Sequence, residues 1–171
     1  MKGSLWKVLG MGVLPGLIVL LLPSCVTLGG DLDHASKRYG TEGASRERFI
    51  HCSGHGCRNR RTVSLGDDGW SRIEAAFGTP EPGEDAAGER ARIRRALAEI
   101  EKVVGAKTGT STDVGGSFSG VGKPGQMDCV DEMLNVATYM TVLIDEGLVK
   151  QHRLGRRYTN HIFKTGAWPH T

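Results

Sequence analysis

Aromatic residues are scarce in this chain, 6% of 171 residues, and 25 of its residues are glycine. Its hydrophobic core is therefore expected to be modest. Its longest apolar run, Val8 to Leu22, is short for a membrane span and is interrupted by Gly10, Gly12, Pro15 and Gly16. A spanning helix needs roughly 20 apolar residues. No sign of charge dominates either: 22 Lys+Arg stand against 19 Asp+Glu, a formal +3. The clusters Arg58, Arg60, Arg61 and Arg90 to Arg95 read as solvated faces, and nucleic acid is not an expected partner. The glycine run from Gly115 to Gly125 lacks the Gly-Lys-Ser/Thr ending of a phosphate loop. No internal repeat of useful period is present.

What is there begins with an export signal. Lys2 and Lys7 supply a basic start and Val8 to Leu22 the apolar stretch, so residues 1–24 are expected to be cleaved. Removing them leaves 20 Lys+Arg against 19 Asp+Glu, a formal +1. Leu22-Pro23-Ser24-Cys25 resembles a bacterial lipobox, with Pro23 in place of the usual small or aliphatic residue. Lipidation of Cys25 would tether the protein to a membrane at the periplasmic or outer face, and an ordinary cleaved signal is the alternative. Residues 25–48, polar and without a sustained period, then read as a tether, and residues 49–171 as a single domain.

Four cysteines divide unevenly across this plan. Cys25 is the candidate lipid site, and Cys52 and Cys57 are expected to form a small disulfide loop in an oxidising compartment. The tract His51-Cys52-Ser53-Gly54-His55-Gly56-Cys57 fits neither the separated ligand pairs of structural zinc nor the Cys-x-x-Cys-His of haem attachment. No metal and no cofactor is expected, although a metal or redox module on residues 51–57 is kept as a third reading. Cys129 is left over.

Arg61 to Leu65 alternates weakly and predicts a short strand, followed by a helix capped by Asp67 or Asp68 that carries Trp70, Ile73, Ala76 and Phe77. Pro80 and Pro82 end it. A second helix is predicted from Glu84 to Val104, with Ile93, Leu97, Ile100 and Val104 on one stripe, Arg92 elsewhere and Gly105 as its cap. Residues 106–126, with glycine, serine and threonine and almost no apolar period, are expected to form a long loop. A third helix starts near Asp128, with Val130, Met133, Leu134, Ala137, Met140 and Ile144 repeating at three and four and Gly147 as its stop. Val149 to Leu154 and His161 to Phe163 are predicted strands.

The loop-to-helix junction places Cys129 where backbone N–H groups and the positive end of the helix dipole favour a thiolate and can receive an oxyanion. Asp128, Asp131 and Glu132 act in the opposite direction. The bland alternative is a small buried hydrophobe. His170, in Trp168-Pro169-His170, is the candidate base, with His161 and His152 as rivals. Gln126 is a candidate oxyanion donor beside the Cys129 N–H.

Gly125-Gln126-Met127-Asp128-Cys129-Val130-Asp131-Glu132, with Tyr139, Leu143, Gly147-Leu148, His152-Arg153 and Trp168-Pro169-His170-Thr171, resembles the transglutaminase-like branch of the papain-like thiol enzymes. Within that branch it looks most like a group of bacterial exported proteins. The resemblance covers roughly the last third of the chain. It implies an α+β fold in which Cys129 opens a central helix as nucleophile and His170 follows on a packed antiparallel sheet as base. It also implies an orienting acidic residue on the next strand, whereas the sequence stops at Thr171, so a small, incomplete sheet is expected. The leading expectation is an exported, lipid-anchored thiol hydrolase or acyltransferase acting on amide bonds of a peptide or protein. The alternative is a catalytically inactive envelope lipoprotein that binds a partner.

Overall fold

The structure, a computed structural model, describes residues 32–114, 120 and 122–155. It is an α+β arrangement: α1 (Leu32–Tyr39), β1 (Phe49–Ser53), β2 (Asn59–Val63), α2 (Gly66–Phe77), α3 (Ala86–Thr108) and α4 (Cys129–Asp145). Strands β1 and β2 form a two-stranded antiparallel hairpin in which Phe49 faces Val63, His51 faces Arg61 and Ser53 faces Asn59. No helix among the described residues is long and apolar enough to cross a membrane. The predicted signal, Cys25, the strand at His161 to Phe163, Trp168 and His170 lie outside the described residues.

Helices α2 and α3 pack as a pair, and α4 lies against both α3 and β1. Phe49, Leu65, Trp70, Ile73, Phe77, Ile93, Ile100, Val104, Val142 and Leu143 close one continuous core. Each large side chain removed from water there contributes on the order of 1.5–3 kcal/mol. A smaller cluster of Ala35, Cys52, Cys57 and Leu134 joins α1 to the hairpin and α4. That contact explains why α1 exists within the stretch expected to lack regular structure: Ala35 is buried on the hairpin. Tertiary burial, more than local pattern, holds a helix this short.

Several boundaries differ from those predicted, each for an identifiable reason. The strand expected at Arg61 to Leu65 runs from Asn59 to Val63, because its register is fixed by β1, whose own pattern is not alternating. Neither Asp67 nor Asp68 caps α2; Leu65 occupies that position without a side-chain bond, and the two acids sit in the first turn. Helix α3 passes through Gly105 to end at Gly109, which has φ 80°. Gly105 serves close packing instead, since a Cβ there would stand 2.8 Å from Ser111 Oγ.

Arg92, expected on a solvated face, is buried against Phe77, its guanidinium 4.3 Å from the ring centroid, and its Nη2 is 2.7 Å from Glu84. The predicted strand at Val149 to Leu154 does not form. Its amides go elsewhere: Lys150 N and Gln151 N donate to the Glu89 carboxylate at 2.7 and 2.8 Å.

Candidate functional site at the start of helix α4

Asp128 has extended backbone and accepts from Val130 N at 3.1 Å and Asp131 N at 3.0 Å. Asp131 reaches back to accept from Asp128 N at 3.2 Å, completing a capping box. Cys129 is thus the first residue of α4, on a helix start whose amides are organised by two carboxylates. Its side chain is half-buried and its sulfur stays outside the disulfide.

Asp131 does more than cap. Fully buried, it also accepts from the backbone N–H groups of His55, at 2.8 Å, and Cys57. Both residues have positive φ, 68° and 55°, in a turn where Gly54 precedes them and Gly56 separates them. Such conformations are strained outside glycine and persist when neighbours over-determine them. Here the constraints are the Asp131 carboxylate and the Cys52–Cys57 disulfide, which closes the turn with a Cα–Cα distance of 4.6 Å. Burial pushes the Asp131 carboxyl up, the Asp128 charge adds to this, and the N–H bonds oppose it.

One and two turns along the same face stand Asn135 and Tyr139. Asn135 grips the Cys52 backbone at two points, accepting from its N–H at 2.8 Å and donating to its carbonyl at 2.9 Å. The Tyr139 hydroxyl lies 3.0 Å from His51 Nδ1, and burial pushes its phenol well up, with the Glu101 charge second. The Phe49 and Tyr139 rings meet edge to face, 5.8 Å apart. Helix α4 therefore turns a polar ladder toward β1, and the fully buried face is rotated from the predicted apolar stripe. Of that stripe only Leu134 is fully buried; Val130, Met133, Ala137, Met140 and Ile144 are partly so. Spacing of apolar residues points to the wrong face because Asp131, Asn135, Thr138 and Tyr139 all find partners inside. The usable signal was their own spacing at three and four.

Ahead of the helix, Gln126 is buried, and its amide bridges the preceding loop. Its Nε2 donates to Thr112 O at 2.9 Å, and its Oε1 accepts from Val114 N at 3.3 Å. Met127 N donates to Asp113 Oδ1 at 2.8 Å, while Gly54 N donates to Gln126 O at 2.9 Å. The loop and the disulfide turn are thereby both fastened to the residues that lead into Cys129.

His152 is placed away from this region. It follows the far end of α4, and its Nδ1 is 2.7 Å from Glu89 in the first turn of α3. The 17 residues of α4 span about 25 Å and separate it from Cys129, so it does not serve that thiol. His55 is brought beside the helix start, since its N–H and that of Asp128 share one Asp131 oxygen. No group of three or more His, Cys, Asp or Glu side chains among the described residues is arranged to hold a metal ion. Comparison with family models, with curated proteins and with solved structures finds no match to this chain.

Proposed function

We propose that this protein is an exported, lipid-anchored thiol enzyme of the transglutaminase-like, papain-like type, in which Cys129 attacks the carbonyl of an amide or ester. The observation that carries this reading is the position of Cys129: a half-buried thiol at the first residue of α4, kept out of the disulfide that joins Cys52 and Cys57. Residues that fix the helix start surround it, and preorganisation of that kind is what nucleophilic catalysis requires.

In the proposed reaction His170 takes the thiol proton, and the sulfur adds to the carbonyl carbon. The oxyanion is received by the Cys129 backbone N–H. Collapse expels the amine, which takes the proton from His170, and water or a second amine then releases the acyl group from sulfur. Gln126 contributes by bracing residues 112–114, because its amide is engaged there. A peptide or protein of the cell envelope is the proposed substrate.

Incubation with an activated acyl ester, followed by peptide mapping, tests the assignment. An acyl mass increment on the Cys129 peptide, absent from Cys129→Ser and delayed in His170→Ala, is expected. A Cys129 peptide that stays unmodified while the ester is turned over contradicts it and favours the partner-binding alternative.

A further inference from the structure

His51 has no role in the chemistry proposed for Cys129, yet it occupies the junction of three parts of the fold. It is 2% exposed on β1. Nδ1 lies 3.0 Å from the Tyr139 hydroxyl on α4, and Nε2 lies 3.3 Å from Thr110 Oγ1 in the turn after α3. Thr110 Oγ1 is in turn 2.9 Å from Thr108 Oγ1. Residues 110–114, which begin with this threonine, are the ones braced on Gln126 and Met127. The imidazole therefore sits behind the segment that supports the approach to α4.

A neutral imidazole has one N–H and one lone pair. Thr108 gives its hydroxyl proton to Val104 O, so Thr110 donates to Thr108 and accepts from His51 Nε2–H, while Nδ1 accepts from the Tyr139 hydroxyl. A protonated imidazole needs two acceptors and compensation for a buried charge. The surroundings do not offer that compensation. On β2 its register partner is Arg61, a like charge; α4 presents Tyr139; on α3 Glu101 acts on Tyr139; and Asp113 of the adjoining segment is occupied by Met127 N. Among the described residues no carboxylate lies within hydrogen-bonding distance of either ring nitrogen.

We propose that His51 is an acid-operated latch, which when neutral fastens residues 110–114 and α4 to β1 and when protonated releases that junction. The proposal does not depend on Cys129 being a nucleophile. Burial, with the Arg61 charge second, pulls the imidazole from 6.5 down to about 4. The folded state then binds this proton less readily than the unfolded chain. The stabilisation is complete above pH 6.5 and is lost progressively as the pH falls through about 4.

NMR titration of the intact chain tests the latch directly. The His51 Hε1 resonance is expected to keep its neutral position until about pH 4, and the Asp113, Val114 and Met127 amides to lose exchange protection with it. A His51 titration near 6.5, or amides that stay protected throughout, overturns the proposal. Urea unfolding supplies a second measurement. Between neutral and acid pH the wild type is expected to lose roughly 300-fold in its folding constant through this imidazole, a component that His51→Gln lacks. A Gln variant with the wild-type pH dependence also overturns it, and if that variant does not fold, the wild-type titration decides.

Discussion

Asn135 shows how much one side chain carries at this helix–hairpin contact. It satisfies both backbone polar groups of Cys52, a residue with no solvent exposure, so truncation leaves a buried N–H and a buried C=O without partners. Asn135→Ala is expected to lower the unfolding free energy by roughly 2–4 kcal/mol, read from the urea midpoint at unchanged slope. A change below about 0.5 kcal/mol would show that the clasp contributes nothing. Gly105 makes a complementary case. Alanine is favoured over glycine inside a helix by about 1 kcal/mol, yet Gly105→Ala is expected to destabilise, because the new Cβ meets the Ser111 backbone nitrogen at 3.1 Å. Such roles are hard to read from sequence. Asn135 looks like an ordinary exposed helix position, and Gly105 looks like a helix end; only the neighbouring chain gives either its function.

At the scale of elements, helices were more legible than strands. The turn after α2, the core residues Ile93, Ile100 and Val104, and the start of α4 at Asp128 follow from local chemistry: capping acids, apolar spacing and prolines. Strand β1 was not legible because its sequence, Phe49-Ile50-His51-Cys52-Ser53, mixes polar and apolar residues on its buried side. Those polar residues are buried because α4 supplies partners 83 to 88 positions later. The disulfide was legible from cysteine number and context and is present in the fold. For a closed loop this short, chain-entropy reasoning gives about 2 kcal/mol, so the Cys52→Ala/Cys57→Ala double variant is expected to lose about that much. Calorimetry of this variant checks the figure, and an unchanged melting temperature would mean that Asp131 alone holds the turn.

Across the whole molecule, Glu89 ties the first turn of α3 to the chain leaving α4. Its buried carboxylate accepts from Lys150 N, Gln151 N and His152 Nδ1, over separations of 61 to 63 residues. Burial pushes this carboxyl up, but the His152 bond and the two backbone bonds outweigh it and hold its pKa below the ordinary value. Its stabilisation is therefore present above the unfolded value of 4.5 and is lost as the pH falls through the lower folded one. Glu89→Ala is expected to cost roughly 2–4 kcal/mol in urea unfolding at pH 7. The helix patterns and the weakly alternating segment Arg61 to Leu65 made a mixture of helix and strand legible, and the α+β class itself was what the family resemblance implied. The long-range polar contacts that assemble it were not legible, since each partner alone is unremarkable in its own segment.

The proposed thiol chemistry rests on the reactivity of one sulfur. Alkylation of Cys129 by iodoacetamide in the native chain, followed from pH 5 to 9, tests it most directly. An activated Cys129 thiolate is expected to be modified at pH 6 well above the rate of free cysteine, slowed to that rate or below after unfolding. A native rate that matches free cysteine at every pH would contradict it.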